Sequence, residues 1–295
     1  GGYSLRPGAS TADKGTMERP SNYKDYYQTA MEYAGKVIAE GNHSLKKRYD
    51  QYFIDQCNYI VTNDDDSIFE IPFAKKSSGN VGYLHGPSGA AYEGETVAPN
   101  IWGASNGGAC LSAFYRFFFD EGDKRRDYVN GMWDYLYNGQ PNLRNNLTVR
   151  NNKWSKFWGP SLGPDTSGNT GINYPYMRYA DVLLMYAEAA NEVNEGPTAE
   201  AIDAFKQVRR RAFDSADWGE KVDNYVAAAG DKASFLSLIQ DERKWEFGGE
   251  GLRWRDLVRW NKYAEVLRDV FYQYFGYAWY LSGDETYNTD ERFTN

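Results

Sequence analysis

The stretch "RYADVLLMYAEAANEVNEGPTAEAIDAFKQVRRRAF", Arg178 to Phe213, decides the fold class because it encodes two helices joined by a tight turn. The first helix is apolar on nearly all sides, which is typical of a helix buried on several faces. Gly196 and Pro197 end it, and Thr198 can cap the second helix. Apolar residues of the second helix recur at spacings of four, three and four, which predicts one packed face.

A second helical pair follows the first. Apolar residues from Phe235 onward mark a helix that reaches Phe247, the pair Gly248 and Gly249 breaks it, and Trp254 begins the next helix. Helical hairpins repeated at this length are the pattern of tetratricopeptide-type proteins. We therefore predict a mainly α protein of tetratricopeptide-like hairpins, with a loop-rich inserted region that carries a few short β-strands.

The chain divides into three parts by character. Residues 1–48 contain one helix, from Ser21 or Asn22 to Gly41, and are predicted to be the remnant of a truncated helical hairpin. Residues 49–174 hold short apolar pieces and brief strand signals such as "SIFEIPF", so we predict an irregular inserted region that carries the ligand-binding face. Residues 175–295 hold the C-terminal hairpins and end in an aromatic, polar tail.

Composition limits the classes of partner. The net charge of −8 and the pI near 5.0 argue against a nucleic-acid or anionic-membrane surface, because such surfaces need clustered Lys and Arg. No run of apolar residues is long enough to span a bilayer. The aromatic content of 17% exceeds what a helical core requires, which predicts aromatic side chains at the surface or in a cleft. Cys57 and Cys110 could form one bridge or remain two free thiols.

Acidic side chains of the hairpins permit two interpretations. A glycoside hydrolase would use two carboxylates that face each other across a cleft, one of them desolvated so that its pKa rises. Each carboxylate here has an arginine close by in the sequence, and a guanidinium lowers the pKa of a buried carboxylate instead. We therefore predict structural ion pairs, formed by Arg178, Asp181, Glu188, Arg243, Glu246, Arg253 and Asp256.

No catalytic, metal or cofactor motif stands out. His43 and His85 are the only histidines, and neither lies at a triad or zinc spacing. The run Asp64 to Asp66 lacks the spaced ligands of a calcium loop, and no phosphate-binding glycine motif precedes a helix. The sequence predicts no catalytic residue, no metal site and no cofactor.

Aromatic side chains in the irregular region are the remaining candidates for binding. A sugar ring packs its C–H face on an indole or phenol, and its hydroxyl groups need polar side chains beside the ring. We predict ligand binding by Tyr83, Tyr92, Asn100 and Trp102. Asn106 also flanks Trp102 in the sequence. Further aromatic candidates that no helical stripe assigns to a core are His85, Trp133, Trp154 and Trp158.

Four stretches carry a resemblance to a known family: "YPYMRYADVLLMYAEAANE", "AIDAFKQVRRRA", "IQDERKWEFGGEGLRWRDLVRW" and, more loosely, "DDDSIFEIPF". The sequence resembles the SusD/RagB family of nutrient-binding outer-membrane lipoproteins. The resemblance implies a helical tetratricopeptide-like scaffold in which these charged residues hold the hairpins together. It also implies non-catalytic binding of a nutrient glycan or another nutrient at the cell-surface side of the outer membrane of a Gram-negative bacterium.

The same resemblance implies a partner and a missing part. The partner is a TonB-dependent transporter of SusC type, to which the ligand is delivered. The lipid-bearing N-terminal Cys and the first hairpins of the family are absent, so we expect the C-terminal part of a longer protein, with membrane contact only through a lipid anchor outside this chain. Two alternatives stay open, a glycoside hydrolase with a carboxylate pair and a helical protein-interaction scaffold.

Overall fold

The computed structural model of the protein describes residues 19–62, 64–89, 101–136, 140–144 and 147–283. The chain forms two compact units, one of Gly1–Gly41 with Ala180–Asn295 and one of Asn42–Tyr179. We call the first the helical unit and the second the mixed unit. The structure is mainly α with a few short strands, as predicted from the sequence. The threefold division at residues 48 and 174 remains a prediction.

The elements of the described residues alternate helices with short strands in the middle of the chain. The α-helices are α1 (Tyr23–Glu40), α2 (Tyr49–Cys57), α3 (Val81–Leu84), α4 (Lys124–Val129), α5 (Tyr179–Val193), α6 (Ala199–Ala212), α7 (Tyr225–Ala227), α8 (Lys232–Glu246), α9 (Arg253–Arg259) and α10 (Tyr263–Ser282). The strands are β1 (Ser67–Ile71), β2 (Cys110–Ser112), β3 (Asn130–Gly131), β4 (Trp133–Tyr135), β5 (Pro141–Leu143), β6 (Thr148–Asn151) and β7 (Tyr174–Arg178).

Local chemistry explains where the helices of the helical unit begin and end. Gly41 ends α1 in the left-handed conformation, with φ of 67°, as the sequence predicts. Thr198 caps α6 by accepting a hydrogen bond from the backbone N–H of Ala201. Asp231 caps α8 in a reciprocal capping box with Ser234, a cap that the sequence analysis did not predict.

The predicted hairpins pack as expected on the face of α6. Its apolar stripe, which includes Phe205 and Val208, is fully buried. Phe205 meets Phe235 of α8, with ring centroids 5.8 Å apart. The predicted break after Phe247 is also confirmed, because α8 ends there and α9 begins at Arg253.

The C-terminal part differs from the prediction of an aromatic, polar tail. Residues Tyr263–Ser282 form α10, a helix of 20 residues that ends at Gly283 in the left-handed conformation. Its apolar side chains recur every four residues, which is a helical spacing that the aromatic content obscured. No helix among the described residues is both long and apolar enough to cross a membrane.

The mixed unit has a core built around α2. Phe53 and Cys57 of α2 are fully buried together with Trp154 and Ile172. Trp154, an aromatic candidate that no helical pattern assigned to a core, lies in this one: its ring packs edge-on against Phe53 at 5.3 Å, and its Nε1 donates to Gln56 Oε1 at 2.9 Å. Trp154 therefore packs on helix α2.

Small antiparallel sheets complete the mixed unit. β1 pairs with β7, β6 lies between β2 and β3, and β4 pairs with β5. The two cysteines are free thiols, Cys57 buried and Cys110 exposed. Burial raises the pKa of Cys57 to about 12, so its thiol stays protonated.

Candidate ligand-binding face

Aromatic side chains from three separate segments of the mixed unit meet at a partly exposed surface. Trp102 is half-buried, and its Nε1 donates a 2.9 Å hydrogen bond to the carbonyl oxygen of Gly159. Its ring meets the edge of Phe157, with centroids 6.3 Å apart, and Phe157 meets Tyr135 at 5.1 Å. We call Trp102, Tyr135 and Phe157 the aromatic face.

The other predicted ligand-binding residues are placed in different ways. Tyr83 is half-buried on α3, and its carbonyl oxygen accepts hydrogen bonds from the backbone N–H groups of Asn106 and Gly107 at 3.0 and 3.2 Å. These bonds hold α3 against the loop that carries Trp102. Tyr92 and Asn100 lie outside the described residues. The binding role of all four residues stays a prediction.

The remaining aromatic candidates of this region lie in or beside the core. His85 packs edge-on against the buried Trp154 at 5.0 Å, and burial lowers the pKa of its imidazole. Trp158 is half-buried and packs on Tyr128 at 5.6 Å. Trp133 is half-buried on β4. His85 therefore packs against the core and is not part of the aromatic face.

A charged network fixes the loops around the aromatic face. Asp134 of β4 accepts hydrogen bonds from Arg150 Nε and from the backbone N–H of Ser88, each 2.7 Å long, and it also pairs with Arg144. Burial alone would raise the pKa of Asp134, but the hydrogen bonds from Arg150, Ser88 and Arg144 together outweigh burial and hold the pKa well below its usual range. Because Tyr135 follows Asp134 directly, this network fixes one edge of the aromatic face.

A buried ammonium group fixes the other edge. Lys156 donates hydrogen bonds to the carbonyl oxygens of Ala104 and Ser167, each 3.0 Å long, and to that of Thr166. Burial lowers the pKa of Lys156 to about 8. Gly103 lies so close to Thr166 that a Cβ at this position would clash with its carbonyl oxygen. These contacts hold the segment after Trp102 against residues 164–167.

The carboxylates of the helical unit are held by guanidinium groups. Arg243 donates to Asp181 at 2.6 Å and to Asp256 at 2.8 Å, and Asp256 also accepts from Arg259 at 2.9 Å. Glu188 accepts from both terminal nitrogens of Arg259, the longer bond at 2.7 Å. Burial alone would raise the pKa of Glu188, but Arg259 outweighs it and holds the pKa below its usual range.

Two further pairs involve arginines whose burial the sequence analysis did not foresee. Arg209 pairs with Glu242 at 3.0 Å, and both side chains are fully buried. Arg211 pairs with Glu246 at 2.6 Å. Both arginines lie in the last turn of α6, where a positive charge also suits the helix dipole. They also join α6 to α8.

The last two predicted ion-pair residues have other partners. Arg178 of β7 pairs with Asp66, and both side chains are buried in the mixed unit. Arg253 donates to the carbonyl oxygen of Gln240 at 2.9 Å. In the helical unit, Asp181, Glu188, Glu242, Glu246 and Asp256 all have an arginine partner. For Glu188 the arginine partner lowers the pKa, whereas a general acid needs a raised one.

Three residues of the site escaped the sequence analysis. Phe157 and Tyr135 contribute rings to the aromatic face, and Lys156 holds its loop. The signal was the stretch "KWSKFW", in which Phe157 and Lys156 stand beside the tryptophans that were selected. Among the described residues, no group of three or more His, Cys, Asp or Glu side chains is arranged to hold a metal ion.

Comparisons with known proteins match most of the chain. The family model described as "SusD family" matches residues 5–294. The SusD-like protein P25 of Formosa agariphila is 37% identical over 122 residues, which is 41% of this chain and 21% of the relative.

Solved structures extend the likeness to the fold. A SusD homolog from Bacteroides thetaiotaomicron has a TM-score of 0.68 at 24% identity, over 85% of this chain and 51% of that one. The surface glycan-binding protein A from Bacteroides fluxus has a TM-score of 0.58 at 25% identity, over 83% of this chain and 50% of that one. The chain thus spans about half the length of these structures.

Proposed function

The chain belongs to the SusD family, and on that premise we propose that it binds an oligosaccharide at the aromatic face and leaves it chemically unaltered. The position of Trp102 carries the proposal. Its indole is half-exposed, and a hydrogen bond to Gly159 fixes the ring. A flat apolar ring that is already fixed can pack on the C–H face of a sugar at a low entropic cost.

The neighbours of Trp102 suit the same ligand. Phe157 and Tyr135 extend the apolar surface beside the indole, while Asn106, which is exposed, offers an amide for hydroxyl groups. We include Tyr83, Tyr92 and Asn100 in the proposed site. The surface glycan-binding protein from Bacteroides fluxus supports a glycan as the class of ligand.

Binding without catalysis is the function that the carboxylates favour. In the hydrolase alternative, two of them would have to face a groove with one proton between them. Arg259 lowers the pKa of Glu188 instead. The other hairpin carboxylates considered form salt bridges with arginines: Asp181, Glu242, Glu246 and Asp256. We propose that these ion pairs stabilise the packing of the hairpins.

The wider role follows from the family. We propose that the whole protein acts at the cell-surface side of the outer membrane of a Gram-negative bacterium, held there by a lipid anchor. It would deliver its ligand to a TonB-dependent transporter of SusC type. Residues 49–174 are the proposed ligand-binding region, and residues 1–48 and 175–295 the proposed scaffold.

Isothermal titration of the protein against a panel of host and plant polysaccharides tests the proposal. The variant Trp102→Ala should weaken binding of the best ligand by about tenfold or more, equivalent to ~1.4 kcal/mol. Trp254→Ala is the matched control, because Trp254 is 60% exposed and lies on α9 of the helical unit. Equal affinity of the Trp102→Ala variant and the unchanged protein would exclude the aromatic face as the site.

A further inference from the structure

A cavity of about 230 Å³ opens in the mixed unit, and none of its lining residues belongs to the aromatic face. Its walls combine the rings of Tyr59 and Phe73 with the charged side chains of Glu70 and Lys75. A drug-sized ligand usually needs a pocket of about 300 Å³ or more, so this cavity suits one small ring.

The carboxylate in the cavity has unused hydrogen-bonding capacity. Glu70 Oε1 accepts from Gln56 at 2.8 Å, from Ser67 at 2.9 Å and from Tyr52 at 3.3 Å. Glu70 Oε2 accepts a single bond among the described residues, from Asn173 at 2.9 Å. A carboxylate oxygen has two lone pairs, so Oε2 can accept one further donor. The surrounding donors fix its position in advance.

The cation in the cavity can donate to a ligand. Lys75 Nζ lies 3.6 Å from the centre of the Tyr59 ring, and no hydrogen bond or ion pair to a described residue engages it. An ammonium group has three donors, and all three remain for water or a ligand. The hydroxyl of Tyr59 donates to the carbonyl oxygen of Thr170 at 2.6 Å, which fixes the ring under the ammonium group.

The rim of the cavity is apolar and its backbone is strained. Ile60 and Val61 line it and are 50% and 65% exposed. Tyr59 adopts φ of 62°, a left-handed conformation that is costly for an aromatic residue. Gly171 is required on the opposite wall, because a Cβ there would lie 2.5 Å from the backbone nitrogen of Lys75. The cavity therefore has exposed apolar side chains at its rim, and its wall leaves no room for a side chain at Gly171.

We propose that this cavity is a second carbohydrate-binding pocket, which takes a single neutral pyranose ring. A hydroxyl group of the ring donates to Glu70 Oε2 while a neighbouring hydroxyl accepts from Lys75 Nζ. The C–H groups of the ring pack on Phe73 and on the rim residues Ile60 and Val61. One negative and one positive charge sum to zero, so the pocket favours a neutral ligand over an acidic or a basic one.

Two indole N–H groups report separately on the pocket and on the aromatic face. Trp154 Nε1 donates to Gln56 Oε1, and Gln56 lines the pocket, whereas Trp102 Nε1 donates to Gly159. A titration of the whole chain with methyl glucopyranoside, methyl galactopyranoside and methyl mannopyranoside, followed by ¹H–¹⁵N correlation spectra, should shift the Trp154 indole resonance in a saturable way for at least one sugar. The pocket can therefore be tested whatever the Trp102 resonance does.

Three variants complete the test. Lys75→Ala removes the donor and should weaken the affinity by about threefold or more, whereas Lys76→Ala, the exposed neighbour, should leave it unchanged. Val61→Trp fills the mouth of the pocket from its exposed rim and should abolish the shift of the Trp154 indole. Unchanged far-UV circular dichroism shows that each variant is folded.

Two results would overturn the proposal. One is the absence of a saturable shift of the Trp154 indole for all three sugars, or a shift that persists in Val61→Trp. The other is tighter binding of glucuronate or glycine than of every neutral sugar, since an acidic or a zwitterionic ligand is then preferred to a sugar without ionised groups. If the aromatic face is not the oligosaccharide site, the affinity of Trp102→Ala for the best polysaccharide stays unchanged. Each proposal can therefore be rejected without rejecting the other.

Discussion

At the scale of residues, the charged side chains of the helical unit form pairs between elements that are far apart in the sequence. Glu188 of α5 is paired with Arg259 of α9, and it also accepts from Trp260 Nε1 at 3.0 Å and from Tyr27 at 3.3 Å. The buried carboxylate of Glu188 accepts four hydrogen bonds from these three residues. Removing its charge leaves the partly buried guanidinium of Arg259 with Asp256 as its remaining carboxylate partner among the described residues, and leaves the donors around Glu188 poorly matched.

This arrangement predicts a large loss of stability for Glu188→Gln. The substitution keeps the volume but removes the charge, and the free energy of unfolding should fall by about 3 kcal/mol. Glu195→Gln is the control, since that side chain is 57% exposed and solvent screens its salt bridges, so the loss of stability should be much smaller. Urea denaturation measures both, and equal losses in the two variants would contradict the prediction.

The lowered pKa of Glu188 also predicts a pH dependence. Because Arg259 holds the folded-state pKa below the unfolded value, the unfolded state binds the proton more readily. The contribution of Glu188 to stability is therefore fully present above the usual pKa of a glutamate and is lost as the pH falls through the lowered value. Denaturation series across the acidic range should give a smaller acid-side slope for Glu188→Gln than for the unchanged protein.

At the scale of elements, the aromatic face takes its rings from separate segments of the mixed unit, and hydrogen bonds between loops fix the positions of these segments. Gly89 and Ser105 exchange backbone hydrogen bonds of 3.0 and 2.8 Å, which join the loop after α3 to the loop after Trp102. Lys156 then ties the second loop to residues 166 and 167. A buried ammonium with three carbonyl acceptors fixes loops that have no regular hydrogen bonding of their own.

Replacing this ammonium should loosen the loop of Trp102. In Lys156→Met three carbonyl oxygens lose their donor, and we expect ligand affinity at the aromatic face to fall by about tenfold, ~1.4 kcal/mol, through loss of preorganisation. Lys46→Met is the control, because Lys46 is exposed in the same unit. Titration with the best polysaccharide gives the affinity. An unchanged affinity in Lys156→Met would show that the loop of Trp102 keeps its binding conformation without the hydrogen bonds of Lys156.

The cap of α8 gives a prediction for a single helix. Asp231 accepts from the backbone N–H groups of Ala233 and Ser234 at 2.8 and 2.9 Å, so Asp231→Ala should lower the free energy of unfolding by about 1 kcal/mol. Asp241→Ala removes a carboxylate from the interior of the same helix, where its salt bridge with Lys244 is partly exposed. Thermal denaturation should show the larger drop in Tm for Asp231→Ala.

At the scale of the whole molecule, composition and pairing agree with a binding role. The net charge of −8 argues against a nucleic-acid partner, and the aromatic content of 17% supplies rings for a neutral ligand. Arg259 holds the pKa of the buried Glu188 below its usual range, whereas a general acid needs a raised pKa.

Binding without turnover can be measured on the intact chain. The best polysaccharide at about 100 times its Kd should stabilise the protein by ~2.7 kcal/mol and raise its Tm, because the ligand binds only the folded state. Long incubation should release no new reducing ends. Trp102→Ala should lose most of the rise in Tm while Trp254→Ala keeps it. Release of reducing ends by the purified protein would favour the hydrolase alternative.

The sequence by itself determined the fold class, the helices α1, α5, α6 and α8, and the breaks that end them. Thr198, Gly41 and the break after Phe247 act on neighbouring residues, and apolar spacing along one helix is likewise local, so these features can be predicted without coordinates. Helix α10 could not be predicted in this way, because its aromatic and polar residues alternate too closely for the apolar spacing of four to stand out.

Only the tertiary structure decided which side chains meet. Trp154 and Trp102 are similar in the sequence, yet Trp154 is in the core because α2 brings Gln56 to its indole from 98 positions away. Arg209 pairs with Glu242, and Arg178 pairs with Asp66, also across long separations in the sequence. Burial and charge pairing depend on residues far apart in the chain, and a single sequence does not encode their distances in any local pattern.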